Sequence, residues 1–224
     1  VTGCSRGVGL EICRVLLEQG HTVYGVARSY TDEFKKLESE FDNKLFFKSI
    51  DLGDSENVHR NVFKDFVNNR IQLHGYVNNA AMAYDDIVTN LKLDRLQSMY
   101  SVNVFAVIDM LQIASRLMAR NGGGCFVNIA SITGVVGSPG QVAYSSTKGA
   151  VIALTKSAAK ELSPMNIRVN AVAPGIIATE RFKELYECDG DKIDGRISRI
   201  ALGRLGTPLD VADAVSFLAS DRAS

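Results

Sequence analysis

Short apolar runs alternate with longer amphipathic stretches along most of the chain. The runs are rich in β-branched and aromatic residues, which is typical of strands. Strands are therefore predicted at 1–2, 22–26, 45–50, 76–77, 125–130 and 167–172.

Between these runs, apolar residues recur every three or four positions, which predicts helices. One helix follows a glycine-rich loop and ends near Gly20, and the next carries Phe34, Leu37 and Phe41 on one stripe. The last begins with a capping Thr207 and with Pro208 in its first turn. Further helices are predicted around 58–67, 93–120 and 142–162.

Strands that alternate with helices, without repeats or low-complexity linkers, indicate βαβ units. The predicted fold class is a doubly wound α/β (Rossmann) parallel sheet with helices on both faces, formed by a single domain over 1–224. Ligands of such sheets bind outside the carboxyl ends of the strands. The functional site is therefore expected at that edge.

Composition narrows the classes of partner. With 25 basic and 25 acidic residues the net charge is zero, which points to neither nucleic acid nor an anionic membrane. A small molecule or a protein is the expected partner.

No apolar run approaches the ~20 residues that a membrane helix needs, and no signal peptide is visible.

Cysteines and histidines suggest no metal site. The cysteines are scattered without a C-x-x-C pair, so reduced thiols in a cytoplasmic compartment are expected; they are Cys4, Cys13, Cys125 and Cys188. No catalytic role is assigned to His21, His59 or His74.

Because the chain begins abruptly at V-T-G, organellar targeting stays open, and missing terminal residues are expected at both ends.

The first candidate for chemistry is the loop G-C-S-R-G-V-G, in which Gly3, Gly7 and Gly9 lie between a strand and a helix. Missing side chains let a backbone approach a pyrophosphate, and a helix N-terminus offers free N–H groups. The spacing is G-x-x-x-G-x-G, and a simple tight turn is the alternative.

The end of the second strand suggests which dinucleotide is bound. In NAD enzymes this position carries an acidic residue, but here it reads Gly25-Val26-Ala27-Arg28. Arg28, helped by Arg6, is suited to a ribose 2′-phosphate, which favours NADP(H). The alternative is that both are ordinary surface arginines.

Asp51, after the third strand, either accepts a hydrogen bond from the adenine amino group or caps a helix at 54–55.

The second candidate is the pair Tyr144 and Lys148. Four residues apart on a helix, their side chains share one face, and an ammonium beside a phenol favours the phenolate and lowers the tyrosine pKa. Ser131 lies before this helix at the end of a strand. An isolated Y-x-x-x-K pair is more often a solvated surface pair, so the context decides.

These motifs together resemble the classical short-chain dehydrogenase/reductase family. The resemblance spans nearly the whole chain and rests on T-G-C-S-R-G-V-G, the Asp51 position, N-N-A-A, Asn103 in S-V-N-V-F, Ser131, Tyr144-x-x-x-Lys148 and P-G-I-I-A-T. Within the family, G-R-L-G-T-P and V-S-F-L-A-S-D are most similar to 3-oxoacyl-[acyl-carrier-protein] reductases and related carbonyl reductases.

The resemblance implies a role for each motif residue. Tyr144 would protonate the substrate carbonyl, Ser131 would orient it, and Lys148 would bind the nicotinamide ribose while Asn103 holds a relay water. The implied cofactor-binding set is Gly3, Ser5, Arg6, Gly7, Val8, Gly9, Arg28, Asp51, Leu52, Asn79, Ala80, Tyr144, Lys148, Pro174, Gly175, Ile177 and Thr179.

Some positions depart from the family pattern. Ala81 replaces the last glycine of N-N-A-G, and Gly122 and Met165 stand where carrier-protein reductases tend to have basic residues, although Arg120 and Arg168 are near. The stretch 179–206 corresponds to a substrate lid in which Phe182, Leu185 and Tyr186 line the substrate or contact a neighbouring subunit.

The family also implies a homotetramer, or a dimer. An apolar patch of Val107, Met110, Leu111 and Ala114 is either this interface or core. The expected function is NADP(H)-dependent reduction of a carbonyl, with a 3-oxoacyl thioester as the leading substrate. The alternatives are another ketone or alcohol, such as a sugar, a polyol or a polycyclic compound, and a dinucleotide-sensing protein without catalysis.

Overall fold

The computed structural model describes residues 1–54, 58, 60–67, 71–180, 182–183, 186, 195, 197–198 and 200–224. Its strands are β1 (Val23–Ala27), β2 (Leu45–Ser49), β3 (Gly75–Asn78), β4 (Gly124–Ile129) and β5 (Ile167–Val172). Its α-helices are α1 (Gly7–Glu18), α2 (Asp32–Glu40), α3 (Leu93–Tyr100), α4 (Ala106–Arg120), α5 (Thr133–Val136), α6 (Val142–Leu162) and α7 (Pro208–Ala219).

All strand pairs are parallel, as the alternation of elements predicts. β1 pairs with β2, and β4 lies between β3 and β5. Residues 1–3 join the two groups, because the N–H of Thr2 donates to the carbonyl of Val77 at 3.0 Å and that of Gly3 donates to Val26 at 2.7 Å. The predicted first strand is therefore a short connector in the middle of the sheet.

Helices cover both faces of the sheet. Alternate side chains of one strand point to opposite faces and pack against different helices. Phe126 of β4 packs with Met110 and Met118 of α4, while its neighbour Val127 packs with Val215 of α7 on the opposite side. Each of these side chains is fully buried, and burying one stabilises the fold by about 1.5–3 kcal/mol.

The predicted helix at 93–120 contains a π-helical turn, Ser101–Phe105, between α3 and α4. By length and composition this 28-residue segment could cross a membrane, which the sequence prediction overlooked. In the fold, however, Met110, Ala114 and Met118 are fully buried against the sheet, so this is a core helix.

Two other helix predictions have different outcomes. Near 58–67 the structure shows a π-helical turn, Arg60–Lys64, and part of the predicted helix lies outside the described residues. At α7 the predicted start is confirmed, because the Thr207 hydroxyl accepts from the N–H of Asp210 at 3.2 Å and the Asp210 carboxylate accepts from the N–H of Thr207 at 2.7 Å.

A cavity of about 550 Å³ lies between the amino ends of β1 and β3. Its wall is mainly apolar and includes Val1, Tyr24, Phe63 and Tyr76. Residues 3–9 of the glycine loop do not line it, so it is separate from that loop.

Candidate functional site

The glycine loop turns from the central connector into α1 and is packed too tightly for side chains. A Cβ on Gly9 would lie 2.1 Å from the carbonyl oxygen of Gly3, and Gly3 itself has φ +65°. The first turn of α1 has no side-chain cap at Arg6. Its N–H groups, including those of Val8 and Gly9, are thus available to a bound anion.

Hydrogen bonds of the Thr2 and Asn79 side chains join the start of this loop to the segment that follows β3. The Thr2 hydroxyl accepts from the N–H groups of Asn79 and Ala80, each at 3.0 Å, and the Asn79 amide donates to the carbonyls of Thr2 and Gly3 at 3.0 and 3.1 Å. The predicted residues Asn79 and Ala80 therefore lie directly against the glycine loop. Thr2 was missed, although a hydroxyl at the end of a strand next to a glycine loop is a usable signal.

The two arginines proposed for a phosphate lie on loops that are tied to each other. The Thr31 hydroxyl, just after the loop of Arg28, donates to the carbonyl of Ser5 at 2.5 Å, and Arg6 is the next residue. Both arginine side chains are exposed. Within the described parts of the chain neither guanidinium has a hydrogen-bond or ion-pair partner.

Asp51 and Leu52 follow β2 at the same edge of the sheet. The Asp51 carboxylate accepts from the N–H of Gly53 at 2.9 Å, which stabilises a local turn. The alternative of a cap at 54–55 lies partly outside the described residues. Leu52 is buried in the core, so only its backbone is available to a ligand.

Tyr144 and Lys148 lie on one face of α6, as their spacing predicts. The Lys148 ammonium is 5.7 Å from the centre of the Tyr144 ring and donates to the carbonyl of Ile129, at the end of β4, at 2.7 Å. The lysine side chain is only 3% exposed. This burial lowers the pKa of Lys148 to about 8, because an apolar environment disfavours the cation.

Ser131 lies two residues after β4, close to the carbonyl that binds Lys148. Its hydroxyl is 3.1 Å from that of Thr133, and it accepts from the N–H of Thr133 at 3.3 Å. Immediately afterwards, α5 approaches α6 so closely that a Cβ on Gly134 would lie 2.7 Å from the backbone of Lys148. This contact fixes the position of Ser131 relative to the helix that carries the tyrosine.

Asn103 lies in the π-helical turn between α3 and α4 and is 1% exposed. Its amide oxygen accepts from the N–H of Met82 at 2.7 Å, and its amide nitrogen donates to the Met82 carbonyl at 2.8 Å and to the Thr147 hydroxyl at 3.0 Å. π-helical turns inside α-helices are frequent at functional sites. The structure thus brings Asn103 next to the helix of Tyr144 and Lys148.

The segment after β5 closes the other side of the site. The Pro174 carbonyl accepts from the N–H of Ile132 at 3.0 Å, and Ile177 forms a parallel bridge with Gly206. A Cβ on Gly7 would meet the Thr179 methyl at 3.6 Å, so Thr179 lies beside the glycine loop. The Thr179 hydroxyl also accepts from the N–H of Phe182 at 3.3 Å, which is a cap.

Much of the predicted lid, including Leu185 and Cys188, lies outside the described residues. Phe182 and Tyr186 are described, and their ring centres are 6.0 Å apart.

Arg120 and Arg168, the arginines near the positions where carrier-protein reductases tend to have basic residues, have different surroundings. Arg168 donates to the carbonyls of Leu218, Ser220 and Ala223 at 2.7–3.3 Å, so its guanidinium closes the end of α7. Arg120 is exposed at the end of α4.

The apolar patch on α4 is mainly core rather than interface. Val107, Met110 and Ala114 are buried within the single chain, and Leu111 is partly buried. Phe105 and Ile108 are instead the exposed apolar residues of this region, at 58% and 48%.

The parallel sheet, a glycine loop that leads into a helix without a side-chain cap, and a tyrosine near a buried lysine on one helix face are typical of a dinucleotide-dependent oxidoreductase. Comparison with known proteins agrees with this class. The chain belongs to the short-chain dehydrogenase/reductase family: residues 3–224 match a family model described as enoyl-(acyl carrier protein) reductase.

Curated relatives match over the whole chain. The 3-oxoacyl-[acyl-carrier-protein] reductase FabG of Staphylococcus aureus is 35% identical, and that of Aquifex aeolicus is 36% identical; each alignment covers 100% of this chain and 90% of the relative. Among solved structures, ElxO with NADP bound is 32% identical and superposes with a TM-score of 0.87, covering 98% of this chain and 90% of that one.

Proposed function

We propose that the protein reduces a carbonyl group to a secondary alcohol by hydride transfer from NADPH, with a 3-oxoacyl thioester as substrate. The observation that carries this proposal is the buried Lys148, which lies 5.7 Å from the centre of the Tyr144 ring, near the strand end followed by Ser131. A solvated surface pair would leave its lysine exposed. The burial of Lys148 contradicts that alternative reading of the Y-x-x-x-K motif.

The residues of the glycine loop fit NADP(H), which is the cofactor. The side-chain-free loop and the free N–H groups at the start of α1 suit a pyrophosphate, and the exposed Arg6 and Arg28 suit a 2′-phosphate. Solved relatives with NADP and with NADPH bound share the fold at a TM-score of 0.87. When bound, the reduced nicotinamide supplies the hydride.

Tyr144 and Ser131 would stabilise the oxygen on which negative charge develops. Each carries a hydroxyl group that can donate a hydrogen bond, and Tyr144 would transfer its proton to that oxygen. General acid catalysis of this kind contributes about 10²–10⁴-fold to a rate.

Lys148 would bind the nicotinamide ribose and hold positive charge beside the phenol. Its pKa of about 8 keeps most of the ammonium charged at neutral pH, so the favourable charge is present below that pH and is lost above it. We expect activity to fall as the pH rises through about 8. Asn103 would hold the water through which a proton returns from solvent.

The substrate assignment rests on the relatives rather than on a docking surface. The curated relatives are named as 3-oxoacyl reductases, whereas the family model is described by an enoyl reductase. The roles proposed for the hydroxyl groups of Ser131 and Tyr144 favour the first reaction, in which a carbonyl oxygen gains negative charge. Because Arg168 is engaged with α7, we propose a thioester without assigning the acyl carrier protein as partner.

We also propose that the chain forms a homo-oligomer in the cytoplasm, with Phe105 of the π-helical turn and Ile108 of α4 in the contact. These two residues expose apolar surface one helical turn apart. Light scattering after size-exclusion chromatography should give a mass above one chain, and Phe105→Asp should lower it; an unchanged mass would contradict this contact.

The decisive test is NADPH oxidation by the purified protein over a panel of substrates. A 3-oxoacyl thioester should be reduced faster than the matching enoyl thioester, a quinone, a sugar or a steroid ketone. If another ketone of the panel is reduced faster, that ketone's class replaces the 3-oxoacyl thioester as the proposed substrate. Absence of turnover over the whole panel, with NADPH binding intact, would favour the dinucleotide sensor.

A further inference from the structure

Thr147 lies on α6 between Tyr144 and Lys148 and is completely buried. Its hydroxyl donates to the carbonyl oxygen of Tyr144 at 2.8 Å and accepts from the amide nitrogen of Asn103 at 3.0 Å. The single hydrogen of this hydroxyl is therefore engaged, and so is one of its lone pairs.

Asn103 is held on its other sides by one residue of the loop after β3. Met82 receives a hydrogen bond from the Asn103 amide nitrogen and donates one to its oxygen. Both amide hydrogens of Asn103 are thus used, one by Met82 and one by Thr147. Within the described residues, Thr147 is the side chain that hydrogen-bonds the Asn103 side chain to the helix of the tyrosine and the lysine.

We propose that Thr147 is a positioning residue that sets the place of Asn103 relative to Tyr144 and Lys148. It acts through Asn103 and contacts neither substrate nor cofactor. This inference rests on the proposed carbonyl reductase function and deepens it.

The chemistry requires a hydroxyl at this position. Valine has the shape of threonine, but a second methyl accepts no hydrogen bond, so the buried Asn103 N–H would lose its partner. The amide would then shift or admit water to regain one. Displacements of about 1 Å in a site of this kind can lower a rate about 100-fold.

The same helix offers a matched control two turns further on. Thr155 is also buried, donates to a backbone carbonyl one turn back, that of Val151, at 2.7 Å, and accepts from the amide of Asn128 at 2.9 Å. Thr155→Val removes the same kind of hydroxyl from the same kind of environment. It therefore measures the structural cost of the substitution away from Asn103.

The experiment compares Thr147→Val, Thr147→Ser and Thr155→Val with the wild type in NADPH-dependent ketone reduction. We expect Thr147→Val to lower kcat about 10- to 100-fold, with the KM for NADPH within about twofold and a larger solvent deuterium isotope effect on kcat. Thr147→Ser, which keeps the hydroxyl, should restore kcat to within about threefold of the wild type. Thr155→Val should lose stability with little change in kcat.

Two results would overturn the inference. One is a Thr147→Val enzyme whose kcat is within twofold of the wild type. The other is a Thr155→Val enzyme that loses as much kcat as Thr147→Val, since the effect would then be a general loss of packing. If Thr147→Val does not fold, Thr147→Ala is judged by the same criteria. A wild type that reduces no ketone refutes the proposed function itself, so the two failures are distinguishable.

Discussion

Replacing Lys148 by methionine is expected to make the protein inactive and, near neutral pH, more stable. The reason is the cost of burying an ammonium group that has few compensating contacts. The Lys148 side chain is 3% exposed, and its described hydrogen bond is the one to the carbonyl of Ile129. Burial lowers the pKa of this lysine from 10.5 to about 8.

The magnitude follows from this difference in pKa. One pKa unit corresponds to about 1.4 kcal/mol, so the charged form is disfavoured in the fold by about 3 kcal/mol. Lys148→Met removes that cost, but it also leaves the Ile129 carbonyl without a partner. The loss of this hydrogen bond destabilises the fold by about 1–2 kcal/mol. A net gain of about 1–2 kcal/mol at pH 7 remains, and it should raise Tm by about 2–8 °C.

The sign of the pH dependence can be worked out. Between the folded pKa of Lys148, about 8, and the unfolded value of 10.5, the unfolded chain binds more protons. Wild-type stability therefore rises with pH across this window, and the full cost is present below pH 8. Other groups titrate alike in both proteins. The stability difference should shrink by about 2 kcal/mol between pH 7 and pH 10.

The assay is urea unfolding at pH 7, 8, 9 and 10 without nucleotide, followed by circular dichroism. Lys156→Met is the matched control, because Lys156 lies two turns away from Lys148 on the same helix and is exposed. Its stability relative to wild type should not depend on pH. A difference between Lys148→Met and wild type that stays constant from pH 7 to pH 10 would refute the reasoning.

Three further predictions concern the cofactor, the proton donor and the core. Arg28→Asp should raise the NADPH dissociation constant at least about tenfold more than that of NADH, since the lost contact is charge-assisted; fluorescence titration measures both, with exposed Arg116→Asp as control, and equal changes would refute the 2′-phosphate role. Tyr144→Phe should lower kcat about 10²–10⁴-fold while NADPH binding persists; a smaller loss in stopped-flow turnover would exclude Tyr144 as the acid. Tyr76→Phe should stabilise the fold by about 1–2 kcal/mol in urea, because its hydroxyl is buried without a hydrogen-bond partner in the described chain; destabilisation would show that the hydroxyl is bound.

Several features that the structure contains could be predicted from local patterns, because they follow from local geometry. The four-residue spacing of Tyr144 and Lys148 places both on one helix face wherever that helix packs. Glycines at a strand-to-helix junction likewise indicate a loop that no larger residue can form, as the 2.1 Å contact at Gly9 shows. The Thr207 cap was predictable for the same reason, since capping depends on neighbours within one turn.

Contacts between distant segments could not be predicted in this way. Arg168 lies near a position where carrier-protein reductases tend to have a basic residue, but its guanidinium binds the end of α7, 50 residues further along the chain. The patch containing Met110 and Ala114 is core because β4 packs against it. Both outcomes depend on which surface meets which, and a helical pattern states only that some surface is apolar.

The sequence by itself determined the order of strands and helices, the glycine loop, and the facing pair of Tyr144 and Lys148, because each depends on residues within a turn or two. Only the tertiary structure decided the burial of Lys148 and the links from Asn103 to Met82 and Thr147. Those links join residues 21 and 44 positions apart. The pKa of a lysine falls when the packed fold excludes water from its ammonium group. The spacing of residues along a chain does not specify that exclusion.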